Sequence, residues 1–158
     1  MYATTHNGLT LYRFDNLSRQ AGVDTFVTPR STATGDDFNL GLYAGGDTSV
    51  IEANLTRLCE ALELSRSHLI FPEQTHGNAV AVVDEKLLSM PRHEQQAALY
   101  GKDALVTDIP GIALAVATAD CVPVLLYDPD TRAIAAIHAG WRGTVAKIVS
   151  ATVATLTR

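Results

Sequence analysis

The sequence predicts a domain that mixes helices with strands, on three observations. A helical period with its own start signal runs over residues 49–64. Short β-prone runs bounded by Gly, Pro and Asp crowd residues 103–138. Two of those runs are joined by a turn too short for a parallel crossover, so they form an antiparallel hairpin. At 158 residues the chain fits one domain, and a folded chain of this size buries roughly 68–70% of its extended surface. With 47% hydrophobic and 18% charged residues it can build a core and does not read as disordered.

Taken in order, residues 9–14 and 23–28 are short, apolar and β-prone, and read as two early strands. Residues 28–41, TPRSTATGDDFNLG, read as a loop that carries Arg30 and Asn39. In the helix that follows, Ser49 and Glu52 form a capping box, and Ile51, Leu55, Leu58 and Leu62 share one face. Cys59 sits beside that stripe as a small core hydrophobe. Residues 78–84 read as a strand starting just after His76. The mixed, polar residues 84–100 read as a loop or a short peripheral helix. The runs 103–108, 112–118, 122–128 and 132–137 then read as strands. Near-continuous apolarity in the second and fourth predicts cover on both faces. A closing helix from Gly143 carries Val145, Ile148, Val149, Val153 and Leu156 at helical spacing.

Charge and composition remove several classes. The formal charge is -5, from 12 basic and 17 acidic residues, and no basic stripe points to nucleic acid. Trp141 stands without the interleaved aromatics of a stacking platform. The N-terminus lacks the basic start and apolar run of a secretory signal, and no apolar stretch reaches the roughly 20 residues that cross a bilayer. Two cysteines make no disulfide framework in a chain this long, so Cys59 and Cys121 read as reduced, in a cytoplasmic protein away from membranes. Asn54 opens a glycosylation-type triplet inside the helix, which reads as chance.

The chemistry gathers in the last third. Cys121 immediately precedes one hairpin strand and His138 immediately follows the other, so both sit at one open end. His76, just before its own strand, can reach that end. Two imidazoles and a thiol suit Zn2+, with a fourth position left for water or substrate. The spacing matches neither a zinc finger nor HExxH, and each residue alone reads as a core thiol or an ordinary histidine. Asp120 and Asp103 each invite two readings, a carboxylate that orients a histidine or a strand-terminal cap. Arg142 lies in a Gly-flanked turn at a helix onset, a place for an anionic substrate, and its neighbour Trp141 reads as a core plug. Gln74 and Asn39 are candidate amide readers of a heterocycle. A metal-free alternative makes Cys121 a nucleophile, His138 its base and Asp120 or Gln74 the orienting group, as in a Cys-His hydrolase. It leaves His76 without a role, whereas a metal accounts for all three residues.

The segments NLG at 39–41, QTHG at 74–77, DALVTD at 103–108, TADCVPVLLYD at 118–128 and HAGWRG at 138–143 resemble, in order, the YfiH-like family. Its members are also called laccase-domain proteins and were long labelled multicopper polyphenol oxidoreductases. The resemblance implies an α+β fold with mixed β-sheets flanked by helices, and Zn2+ held by His76, Cys121 and His138. It implies catalytic roles for Cys121, His138, Arg142 and Asp120, and substrate contacts from Asn39, Gln74 and Arg30. The implied substrates are a purine nucleoside with phosphate or water. The implied reactions are phosphorolysis of adenosine, inosine or methylthioadenosine, and adenosine deamination. A laccase would need several copper centres, more than the 5 histidines of this chain supply. Around Arg30 the chain departs from the family's Ser/Thr-Arg-x-Gly-Gly stretch. Full-length relatives also run further, so residues 1–158 are expected to be one YfiH-like domain, C-terminally incomplete. The chain is then either a piece of a purine nucleoside enzyme or a non-catalytic short form. The short form would be a metal-bearing or partner-binding module, completed by a second copy or a partner chain.

Overall fold

The first two strands, β1 (Tyr2–His6) and β2 (Leu9–Arg13), are joined by Asn7 and Gly8, with φ of 47° and 79°. Two successive positive φ values match the right-handed twist of a tight hairpin, and Asn-Gly adopts them most readily. β3 (Phe26–Val27) pairs with β2 to complete a three-stranded antiparallel sheet. The sequence reading found β2 and β3 but not β1, whose residues are mostly exposed and give no apolar alternation. The structure, a computed structural model, describes every residue except Ser18, Ala21, 32–34, Asp36, Ala44 and Arg158. The chain divides into two units, Met1–Ser67 and His68–Arg158.

Helix α1 (Thr48–Ala61) belongs to the first unit and buries Ile51, Leu55, Leu58 and Cys59. Its cap is Asp47, whose carboxylate accepts from the Ser49 N–H at 2.8 Å. The helix therefore starts before the Ser49–Glu52 box expected from sequence. Asn54 is buried and donates from Nδ2 to the carbonyls of Asp37 and Asn39, both at 3.1 Å. Its amide thus serves the fold, which agrees with reading its glycosylation triplet as chance.

The second unit runs β4 (Leu69–Ile70), β5 (Val80–Val82), α2 (Glu85–Ser89), α3 (Arg92–Leu99), β6 (Ala104–Thr107), β7 (Ala113–Leu114), β8 (Val122–Tyr127), β9 (Ile134–Ala139), α4 (Trp141–Val145) and α5 (Ile148–Leu156). β4 and β7 pair in parallel. The main sheet has the order β5-β6-β9-β8, with β5–β6 parallel and the other pairs antiparallel. The architecture is α+β with mixed sheets, as expected, and the hairpin closes from Val122↔Ala139 to Tyr127↔Ile134. Central β9 is almost wholly buried, as its apolar run implies. Ile70, Val83, Leu105 and Ile112 pack in one core cluster, and Ala104, Ile137 and Ile148 in another.

Three elements differ from the sequence reading. Residues 84–100 hold two helices, the first capped by Asp84, which accepts from the Leu87 N–H at 2.8 Å. The strand expected over 112–118 shrinks to Ala113–Leu114. The closing helix breaks at Lys147, whose φ is 61°, so α4 and α5 run separately. Among the described residues no helix is long and apolar enough to cross a membrane.

Candidate metal centre

Strand register places Asp103 beside His138. β6 and β9 pair Ala104↔Ile137, and the next step along is the His138 N–H donating to the Asp103 carbonyl at 2.7 Å. The Asp103 side chain is fully buried, and its carboxylate accepts four hydrogen bonds. Oδ1 takes His138 Nδ1–H at 2.7 Å and the His76 N–H at 2.9 Å. Oδ2 takes the Thr75 N–H at 3.1 Å and the Gly77 N–H at 2.8 Å. With Nδ1 committed to the carboxylate, Nε2 is the nitrogen His138 has free. His76 sits at φ 63°, a backbone region few non-glycine residues occupy.

Cys121 enters from the other hairpin strand, one residue before β8 begins. The ligand atoms of His76, Cys121 and His138 all lie within 4.8 Å of one another. The imidazoles meet edge to face, with ring centroids 4.7 Å apart and planes at 82°. The convergence depends on Gly140. A Cβ there would lie 3.0 Å from His76 Cδ2, 3.3 Å from Cys121 Sγ and 3.7 Å from His138 Cε1. Gly143 allows a second close approach, since a Cβ there would stand 2.5 Å from the Gly77 carbonyl oxygen. Asn78 Nδ2 donates to the Ala146 carbonyl at 2.8 Å, so α4 and the His76 loop are fixed together.

Burial pushes the Cys121 thiol pKa up, and the charge of Asp120, its hydrogen bond with the thiol and the charge of Asp103 push it further. Sγ donates to Asp120 Oδ1 at 3.7 Å. An ion-free Cys121 is therefore protonated at neutral pH, which works against a metal-free nucleophile. A divalent cation between the three side chains reverses that balance. Two imidazoles and a thiol, backed by a carboxylate on one imidazole, form a donor set that fits Zn2+. Exposed His76 leaves one side open to solvent.

The other residues singled out from sequence fall as follows. Asp120 is exposed and touches the thiol, while the carboxylate on a histidine is Asp103. Gln74 spends both ends of its amide on Ala117: Nε2 donates to the carbonyl at 2.7 Å and Oε1 accepts the N–H at 2.8 Å. That clamp fixes the backbone leading into Thr118–Cys121. Arg142 lies over the Trp141 ring at 5.3 Å. Trp141 is 71% exposed and is not the core plug expected from sequence, because it opens α4, whose buried residue is Gly143. Arg30 and Asn39 belong to the first unit, where Arg30 Nε pairs with Asp37 at 3.4 Å and Asn39 Oδ1 accepts the Gly41 N–H at 2.9 Å. Sequence reasoning had Gly140 only as a flank of the Trp141–Arg142 turn and missed its packing against His76, Cys121 and His138.

Residues 18–158 match the family model described as multi-copper polyphenol oxidoreductase laccase. The chain is 41% identical over 140 residues to a purine nucleoside phosphorylase of Bacteroides thetaiotaomicron, a match covering 86% of this chain and 52% of the relative. It is 41% identical over 155 residues to adenosine deaminase RL5 from an unknown prokaryotic organism, covering 95% of this chain and 59% of that protein. The crystal structure of a hypothetical protein YfiH from Bacillus licheniformis is similar with a TM-score of 0.68 at 29% identity, covering 77% of this chain and 46% of that one. The chain thus spans about half the length of the curated relatives it matches.

Proposed function

The chain belongs to the multi-copper polyphenol oxidoreductase laccase family, and we propose from that membership that it carries the zinc centre of a purine nucleoside enzyme. The observation that carries this reading is the triangle of His76, Cys121 and His138, its ligand atoms within 4.8 Å of one another. Relatives named as a purine nucleoside phosphorylase and an adenosine deaminase supply the substrate class.

Zinc held by those three side chains would supply Lewis acidity at its open position. Around it the chain's own groups divide the work. Asp120, exposed beside the thiol, would take a proton from an attacking water or phosphate. Arg142 offers a guanidinium to phosphate or other anionic oxygens, and the exposed Trp141 face beside it offers a flat surface to a purine ring. Gln74 acts through Ala117, by shaping the segment that delivers Asp120 and Cys121. Phosphorolysis would exchange the glycosidic C–N bond for a C–O bond to phosphate, releasing the protonated base. Deamination would exchange the exocyclic amine for oxygen, releasing ammonia.

A second reading is favoured by exposed apolar surface. Val122 on the edge strand β8 is 61% exposed, and Trp141 and Val145 on α4 are 71% and 76% exposed. Together with relatives about twice as long, this favours a metal-bearing module that turns over substrate only when further polypeptide completes it.

The test is elemental analysis of protein purified without added metal, followed by adenosine and inosine turnover with and without phosphate. About one zinc per chain, absent from Cys121→Ala, together with base or ammonia release, is the expected result. Zinc without turnover favours the second reading. Copper in place of zinc, or a folded chain without metal, overturns the zinc assignment. The same turnover assay on Arg30→Ala and Asn39→Ala reads the substrate roles that family resemblance implies for them.

A further inference from the structure

We infer that Asp103 is a positioning residue for the metal centre, a single buried carboxylate that sets both histidine ligands at once. This rests on the zinc reading and adds to it what fixes the ligands.

Burying a carboxylate with no exposed surface is costly unless its oxygens are hydrogen-bonded. The partners of Asp103 are not scattered through the core. Three are the consecutive backbone N–H groups of Thr75, His76 and Gly77, which form an anion-binding nest around the carboxylate. The fourth is Nδ1–H of His138. His76 and His138 come from distant parts of the sequence, one on a loop and one at the end of β9. One oxygen, Oδ1, receives both the His76 backbone and the His138 ring. The nest also holds His76 at φ 63°, a left-handed conformation that a non-glycine residue keeps only where its surroundings enforce it.

The hydrogen-bond inventory makes the role specific to a carboxylate. Asn has one accepting oxygen and an amine that only donates. If the amine replaces Oδ2, Thr75 and Gly77 face a donor and the His76 loop loses its anchor. If it replaces Oδ1, the ring is driven to carry its proton on Nε2, the nitrogen that would bind metal. Either placement displaces one ligand while leaving the shape of the core almost unchanged.

Asp103→Asn is therefore expected to weaken zinc binding about 10–100-fold, the usual effect of removing a partner that orients a ligand. The measurement is competition with a chromophoric chelator, expressed per folded molecule. With cobalt(II) in place of zinc, the variant is expected to keep the thiolate charge-transfer band of Cys121 and to change its ligand-field bands, since a histidine moves and the cysteine does not. Unchanged affinity and an unchanged cobalt spectrum would overturn the inference, even if the variant were less stable. Should the variant fail to fold, nitrogen-15 spectra of the ion-free native chain still decide. His138 is expected as the Nδ1–H tautomer, and the Nε2–H tautomer would overturn the inference. If the native chain binds neither zinc nor cobalt, it is the zinc reading that fails, while the tautomer measurement still reports on the Asp103 contact.

Discussion

Gly140→Ala tests whether the triangle of ligands is built around an absent side chain. The backbone there has φ -69° and ψ 164°, which alanine adopts without strain, and Gly140 provides no side-chain cap to lose. The methyl group is the whole perturbation. It would arrive 3.0 Å from His76 Cδ2 and 3.3 Å from Cys121 Sγ, both tighter than ordinary contact. Overpacking of this kind costs about 1–3 kcal/mol when the surroundings cannot move. Here relief is available, because both side chains can swing away. That motion opens the triangle, so the cost falls on the metal-loaded state and the ion-free fold is largely spared. At 1.4 kcal/mol per tenfold, zinc affinity should fall about 5- to 150-fold. Chelator competition measures this, and urea unfolding of the ion-free chain should show a much smaller change. A Gly140→Ala protein that binds zinc as tightly as the native chain would refute the packing logic of the site.

Further outcomes follow from Cys121, Asn54 and Trp141. With its pKa raised by burial and by Asp120 and Asp103, the Cys121 thiol holds its proton in the ion-free chain. Zinc uptake near pH 7 should release about one proton from it, and affinity should climb with pH, both read by calorimetry in buffers of different ionisation enthalpy. For the ion-free fold the sign is opposite: the native state keeps a proton that the unfolded chain loses near the ordinary value of 9.0, so stability should decline as pH rises past that point. Asn54→Ala should cost about 1–3 kcal/mol in urea unfolding, because it strips the amide from the Asp37 and Asn39 carbonyls. The one tryptophan, Trp141, is 71% exposed. Its emission should be red-shifted and readily quenched by acrylamide, and a purine nucleoside that stacks on it should protect it.

The convergence of His76, Cys121 and His138 was legible because short-range facts imply a long-range one. A turn at 128–131 forces a hairpin, a hairpin brings its two open ends together, and those ends carry Cys121 and His138. The orienting carboxylate was not legible. Asp103 and Asp120 look alike in sequence, each next to a strand, and only the β6–β9 register gives Asp103 the imidazole. The closing helix shows a different failure. Val145, Ile148, Val149, Val153 and Leu156 share helical spacing, yet only Ile148 and Leu156 are buried, and the three valines are 76%, 36% and 43% exposed. The buried positions are Ile148, Thr152 and Leu156, which hold the same spacing one face over. Thr152 is tolerated there because its hydroxyl donates to the Ile148 carbonyl at 2.9 Å. Apolar content alone cannot choose between two such stripes, and the break at Lys147 carries no glycine to announce it.

Metal binding and turnover separate along these lines. Every group that shapes the triangle, Asp103, His76, Cys121, His138 and Gly140, belongs to the unit His68–Arg158, and the hydrogen bonds that fix it close within that unit. Zinc affinity should therefore be a property of this unit's own packing. On the proposed reading turnover asks for more, because a nucleoside must be enclosed while exposed His76, Asp120 and Trp141 leave their side of the cluster open to water. A transition state that develops charge gains most where water is excluded and fixed dipoles replace it. An open centre of this kind should bind metal well before it accelerates chemistry. Adding polypeptide that covers this side should raise turnover while leaving zinc affinity nearly unchanged.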